Sequence, residues 1–231
     1  YNLMLYFAVR DRVYLDYVLY AAAFGTFLFG FDGLAYQYLW PGSIWGANHA
    51  VAVALALALA LGSQFARSFL DMRRIAPRVD LAVRAIIAAG LVLAACAAAG
   101  WPLEYGGVLR AVSVLGFATA AIATTVAVRA LLSGYRPARF FLLAWAALLV
   151  FIGLGSLRNF DLVPTAFVTI YGLHIGFALD VLLLSFALGD RINVLRRERA
   201  AAPAESLASQ RRLLEARRES ERELEQRIAR R

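Results

Sequence analysis

The sequence lacks lysine altogether, so all 24 of its basic residues are arginines. A retinal-type Schiff base requires a lysine amine, and this absence excludes it. The one cysteine, Cys96, cannot form an internal disulfide, and in its alanine-rich surroundings we interpret it as a small core residue. The sequence also has no glycine-rich phosphate loop, no Ser/His/Asp set and no paired catalytic carboxylates. We therefore expect no enzyme within this chain.

Charge is scarce as well, at 17% of residues against 61% hydrophobic ones. The hydrophobic residues gather in long stretches that match the ~20 residues a helix needs to cross a bilayer. These stretches predict six membrane-spanning helices over residues 17–36, 44–66, 81–99, 108–132, 140–157 and 166–188. Residues 1–9 resemble the tail of a further span. The sequence thus predicts an all-α, seven-helix membrane bundle with a truncated first helix and the lipid bilayer as its partner.

Arginine is distributed unevenly among the loops between these spans. The alternate loops 9–14, 67–80 and 133–139 hold eight arginines, whereas the other loops hold one, Arg158. Because arginine-rich loops stay in the cytoplasm, this pattern predicts a periplasmic N-terminus, a cytoplasmic C-terminus and a place in the bacterial inner membrane.

Residues 190–231 form a second domain of different composition, with 12 arginines mixed among 8 acidic residues. The mixture of signs argues against nucleic-acid binding. A heptad pattern places four apolar residues on one seam: Leu207, Leu214, Leu224 and Ile228. It predicts a cytoplasmic signalling helix that pairs as a coiled-coil homodimer. A single solvated helix is the alternative.

One stretch carries conflicting signals. Residues 50–61 alternate alanine or valine with leucine or alanine, a period of two that is typical of a strand. An isolated strand cannot satisfy its backbone hydrogen bonds in lipid, whereas a helix can. We therefore predict a helix whose alanine stripes let its neighbours approach closely.

Asp180 lies inside the last predicted span, where an ionisable side chain is costly and indicates function. Gly172 and Gly176 share its helical face, together with Thr165 and Thr169. We predict that Gly172, Gly176 and Asp180 form a signalling seam against another helix. In one interpretation Asp180 is a polar pivot between two states, and in the other it is a fixed link to an arginine or tyrosine.

The two histidines, His49 and His174, lie on different spans. Together they could ligate a haem or a metal, but neither has a second ligand at helical spacing. The simpler interpretation is a hydrogen-bonded histidine near each interface. We therefore expect no cofactor and no metal.

Three groups of residues resemble a known family in their order and spacing. Residues 1–7 with 10–15 resemble the end of a first span, and residues 33–41 resemble a first outer turn. Gly176, Asp180 and residues 185–192 resemble a last span and its exit. Over residues 1–192 the chain resembles the bacterial seven-transmembrane receptors with diverse intracellular signalling modules (7TMR-DISM).

The resemblance implies a receptor that carries further domains on the same polypeptide. A periplasmic sensor domain would precede the first span. A diguanylate cyclase or a histidine kinase would follow the signalling helix, placing the protein in cyclic-di-GMP or two-component signalling. Asp190, Arg191 and Ile192 would form the junction at the membrane exit. A small-solute transporter and a membrane scaffold that recruits a cytoplasmic partner are the alternatives.

Overall fold

In the computed structural model, residues 2–100, 105–159 and 162–194 are described. The chain divides after Leu188 into two units, and the fold below is that of the first. The helices follow one another as α1 Asn2–Val9, α2 Arg12–Phe31, α3 Leu34–Tyr38, α4 Ile44–Phe69, α5 Met72–Ile75, α6 Pro77–Ala99, α7 Tyr105–Leu132, α8 Ala138–Asn159, α9 Phe167–Ile170 and α10 Gly172–Val194.

Six of these helices, α2, α4, α6, α7, α8 and α10, are long and apolar enough to span a membrane. They correspond to the six predicted stretches. Helix α1 has eight residues, about 12 Å at ~1.5 Å per residue, which is less than a membrane crossing. A seventh span at the start of the chain therefore stays a prediction.

The predicted span 17–36 has different bounds in the structure. Helix α2 begins at Arg12 because the carboxylate of Asp11 caps it, accepting a hydrogen bond from the Val13 amide at 3.1 Å. It ends at Phe31, and Gly33 follows with a φ of 78°, a left-handed conformation that favours glycine. The residues after this turn form the separate helix α3.

The prediction of one continuous helix over 166–188 is wrong. The structure has the short helix α9, a bend at Tyr171 and then α10. The hydroxyl of Thr169 accepts a hydrogen bond from the Ala166 amide at 2.8 Å and lies within hydrogen-bond distance of the Pro164 and Ala166 carbonyls. Such local bonds compete with helix continuation. Thr165 and Thr169 consequently do not share one helical face with Asp180.

Helix α4 lies at the centre of the bundle and is a helix, as predicted, despite its alternating sequence. Its alanines at positions 52, 54, 56, 58 and 60 are all buried. Ala54 packs with Phe27 and Leu28 of α2, whereas Ala52 and Ala56 pack with Leu93, Ala94 and Ala97 of α6. The alternation therefore serves a helix that contacts neighbours on two sides.

A polar network ties α2, α4 and α6 together at the end of the bundle that carries the arginine-rich 67–80 loop. The side chain of Asp80 is 5% exposed and pairs with Arg67 at 2.5 Å and Arg84 at 2.9 Å. Ser68 donates to Asp16 of α2 at 2.6 Å. A buried carboxylate needs such partners, so the network fixes how the three helices meet.

Candidate functional site: a tyrosine ladder on the last span

Helix α10 packs against α2 along a row of three buried tyrosines. Tyr14, Tyr17 and Tyr20 recur every three residues, which places them on one face of α2. Their exposed fractions are 0%, 2% and 7%. A buried tyrosine hydroxyl needs a hydrogen-bond partner, and inside an apolar bundle a neighbouring helix is the main source of one. We call these residues the tyrosine ladder.

Each hydroxyl of the ladder donates to α10. The Tyr20 Oη donates to Asp180 Oδ2 at 3.0 Å. The Tyr17 Oη donates to the Val181 carbonyl at 2.7 Å and lies 3.1 Å from the Ser185 Oγ. The Tyr14 Oη donates to the Leu188 carbonyl at 2.8 Å. The order of these contacts shows that α2 and α10 run antiparallel.

Asp180 is the polar centre of this interface, with no exposed surface. Only one of its two oxygens is used by Tyr20; among the residues that the structure describes, Oδ1 has no hydrogen-bond partner. The residue that holds Asp180 is thus a tyrosine, and whether this contact is fixed or changes between two states stays a prediction. Because a single hydroxyl holds a fully buried carboxyl, this contact is sensitive to small displacements of either helix.

Helix α4 supports the ladder from behind. The ring of Phe65 stacks on Tyr20, with centroids 6.3 Å apart and planes 4° apart, and lies 5.6 Å from the Tyr17 ring. A Cβ at Gly62 would lie 3.0 Å from Cδ2 of Tyr20. The missing side chain of Gly62 thus makes room for the ring, and α4 helps to hold Tyr20 in the position where it meets Asp180.

The two predicted seam glycines contact a different helix from Asp180. A Cβ at Gly172 would lie 3.3 Å from Cδ1 of Phe151 in α8, and one at Gly176 would lie 3.0 Å from its Cβ. Close packing at these glycines was expected. The predicted seam is nevertheless divided, because Gly172 and Gly176 face α8 while Asp180 faces α2.

His174 lies further along α10, towards the end where α2 turns at Gly33. Its Nε2 is 2.7 Å from Oδ2 of Asp32. Between this pair and the ladder, the rings of Phe24 and Phe177 stack with centroids 4.6 Å apart. The α2–α10 interface is therefore polar, aromatic and polar again along its length.

His49 has other neighbours. Its ring stacks on Trp45 with centroids 5.7 Å apart, and its Nδ1 lies 3.1 Å from the Trp45 carbonyl. Over the described parts of the chain, no group of three or more His, Cys, Asp and Glu side chains comes together as a metal site would require. The two histidines take up packing and hydrogen-bonding positions on separate helices.

The remaining predicted residues lie past the first unit. Asp190, Arg191 and Ile192 belong to α10, and their role as a junction stays a prediction. The coiled-coil seam of Leu207, Leu214, Leu224 and Ile228 lies outside the described residues.

Sequence reasoning did not find the ladder. A signal was present, since three tyrosines at a spacing of three inside a hydrophobic stretch place three hydroxyls on one helical face. Each of those hydroxyls has to find an acceptor on a neighbouring helix. Which helix supplies the acceptors is a matter of tertiary packing and cannot be read from α2 alone.

The six long apolar helices, their arginine-rich loops and the polar contacts buried between them define a multi-pass helical membrane protein. The family described as 7TM diverse intracellular signalling matches residues 1–191. The chain belongs to this family, and it is a membrane signalling receptor module. No curated protein and no solved structure matched the chain.

Proposed function

We propose that the chain relays a periplasmic or intramembrane stimulus across the bacterial inner membrane by moving α10 against α2. The observation that carries this proposal is Asp180, a completely buried carboxyl on the last span held by the Tyr20 hydroxyl. Such a contact between packed helices can be made or lost when they shift by about 1–2 Å. The uneven arginine distribution supports an orientation with the C-terminus in the cytoplasm.

The ladder also offers alternative acceptors for such a shift. The Tyr17 hydroxyl already lies within reach of two α10 oxygens, the Val181 carbonyl and the Ser185 Oγ. On the other side of α10, Gly172 and Gly176 present no side chains to Phe151 of α8. Helix α10 is thus held by directional hydrogen bonds on the side that faces α2, whereas on the side that faces α8 its two glycines have no side chains to obstruct a shift. This arrangement suits a helix that slides or rotates.

Beyond the membrane, the proposal requires an output. Residues 190–231 would pair as a homodimeric coiled coil and pass the motion to a diguanylate cyclase or histidine kinase on the same polypeptide, with a periplasmic sensor domain at the other end. The mixed charges and the seam from Leu207 to Ile228 support a pairing helix. Asp190, Arg191 and Ile192 would then be the first residues to move outside the bilayer.

Asp180→Leu tests the relay. In a fusion that joins a diguanylate cyclase domain after Arg231, we expect this variant to change the basal cyclic-di-GMP output about threefold. Losing one hydrogen bond between membrane helices costs ~0.6 kcal/mol on average, which shifts a two-state equilibrium by about that factor. Membrane insertion, measured by fractionation and by fluorescence of a C-terminal reporter, should equal that of the wild type.

Asp180→Asn is the matched control, because its amide oxygen still accepts the Tyr20 hydrogen bond. Its output should stay near the wild-type level. Equal output in the leucine variant, the asparagine variant and the wild type would reject the relay through this contact and would favour a scaffold.

A further inference from the structure

A cavity of about 320 Å³ lies within the membrane domain, between α2, α4, α7, α8 and α10. This volume falls in the range of small-ligand sites, about 300–1,000 Å³. Its wall is mostly aliphatic and aromatic, and it includes Tyr20 of the ladder, Ala58 and Trp145. The cavity is therefore an apolar binding space next to the contact between α2 and α10, and it does not depend on the relay proposed above.

The cavity exists because small residues line it. Gly116 of α7 faces it, and a Cβ built at this position would meet nothing within 4 Å. Ala58 and Ala120 contribute two further short side chains. A close-packed interior would ordinarily fill such a volume, because empty apolar space forfeits dispersion contacts.

The hydroxyl groups in the wall are already engaged within the protein. Ser63 Oγ and Thr119 Oγ1 lie 3.3 Å apart, and Thr119 also donates to the Leu115 carbonyl at 2.9 Å. Ser113 donates to the Leu109 carbonyl at 2.8 Å. A polar solute would find few available partners here, whereas a hydrocarbon chain needs none.

The cavity reaches the outer surface of the bundle between α7 and α8. Phe117 is 69% exposed and Leu149 is 38% exposed, yet both line the cavity. They also line a groove on the surface of the bundle that continues past Thr124 and Thr125 to Arg129. In a membrane protein this surface faces lipid, so the cavity and the bilayer interior are continuous.

We propose that an acyl chain of an anionic membrane phospholipid enters between α7 and α8 and occupies this cavity. The apolar wall fits the chain, and the groove directs the headgroup towards the guanidinium of Arg129, near the end of α7. Arginines at a membrane surface attract anionic headgroups. The bound chain would lie against Tyr20, the residue that holds Asp180.

Photocrosslinking can locate the chain directly. The purified protein is placed in nanodiscs with phosphatidylglycerol that carries a diazirine in one acyl chain, irradiated, and mapped by peptide mass spectrometry. We expect crosslinks at Tyr20 and Ala58, which are 7% and 3% exposed and out of reach of bulk lipid. Crosslinks confined to exposed residues such as Phe117 would overturn the proposal.

Gly116→Leu is designed to fill the cavity, because Gly116 lines it and a Cβ at this position meets nothing within 4 Å. The crosslinks at Tyr20 and Ala58 should fall at least fivefold, while those at Phe117 persist. Gly153→Leu on α8 is the matched control: its Cβ also meets nothing within 4 Å, and Gly153 does not line the cavity. If Gly116→Leu does not fold, as judged by gel filtration, Gly116→Val takes its place. Crosslinks at Tyr20 and Ala58 that persist in the variant with the filled cavity would contradict the proposal that an acyl chain occupies it.

Arg129→Gln tests the headgroup. With phosphatidylglycerol, crosslinking at Tyr20 and Ala58 should fall about fivefold in this variant, because one arginine near a membrane surface strengthens the binding of an anionic headgroup by about that factor. With a zwitterionic phosphatidylcholine of the same chain it should not change. An equal response to both lipids would overturn the anionic headgroup site.

Discussion

Replacing Gly90 with leucine is expected to lower the unfolding temperature of the membrane domain by about 10 °C. A Cβ at Gly90 in α6 would lie 3.1 Å from Cβ of Ala60, 3.3 Å from the Ala60 amide nitrogen and 3.4 Å from the Ala56 carbonyl oxygen. Two of these atoms are backbone atoms of α4, so rotating a side chain cannot relieve the clash. Overpacking costs ~1–3 kcal/mol or more, and ~1 kcal/mol corresponds to about 2–4 °C in a chain of this size.

Circular dichroism of the purified protein in detergent measures this change. Gly153→Leu is the matched control, since it introduces the same side chain into a helix at a position with open space around it. Its unfolding temperature should stay within about 2 °C of the wild-type value. Equal unfolding temperatures for Gly90→Leu and the wild type would contradict the close approach of α4 and α6.

Removing the Tyr20 hydroxyl should destabilise the bundle more than removing any other hydroxyl of the ladder. In Tyr20→Phe the buried Asp180 loses its donor. A hydrogen bond between membrane helices is worth ~0.6 kcal/mol on average and ~1.7 kcal/mol at most, and we expect a carboxyl left without its donor to lie at the upper end of that range. Tyr17→Phe removes a bond of similar length, but the Val181 carbonyl keeps the Ser185 hydroxyl, which donates to it at 2.9 Å. We expect unfolding temperatures about 6 °C and about 2 °C below that of the wild type.

A double variant separates this explanation from a general loss of packing. When both partners of a buried hydrogen bond become apolar, the cost is small. Tyr20→Phe combined with Asp180→Leu should therefore recover most of the stability that Tyr20→Phe loses. Additive losses from the two substitutions would show that the hydroxyl and the carboxyl act independently.

Much of the fold could be predicted because lipid constrains a chain strongly. Each crossing helix needs a long apolar run, and all six described spans coincide with such runs. The alternating segment of α4 was predicted as a helix by the same argument, since no strand could satisfy its backbone alone. The residues at which the helices begin and end were harder to predict, because they depend on local hydrogen bonds such as the Asp11 cap of α2 and the Thr169 contacts before α10.

The site could be predicted only in part. Asp180 stands out in the sequence as an ionisable residue in a span, and the glycines around it indicate close packing. Their partners do not follow from spacing. Positions 172, 176 and 180 are spread over about 80° of the helix circumference, and in the structure Gly172 and Gly176 lie against Phe151 of α8 while Asp180 meets Tyr20 of α2. The ladder itself emerges only once α2 and α10 are known to be neighbours.

The central claim is that the contact between Tyr20 and Asp180 sets the position of α10 relative to α2. Spin labels at Leu19 of α2 and Leu182 of α10, both exposed, in a Cys96→Ser background, report that distance by pulsed electron paramagnetic resonance. The mean distance between the labels at Leu19 and Leu182 should differ by about 2 Å between the wild type and the Asp180→Leu variant. The distance between labels at Leu19 and at Val92 of α6 should be the same in both proteins. An Asp180→Leu variant with altered cyclase output and an unchanged distance between Leu19 and Leu182 would contradict the account.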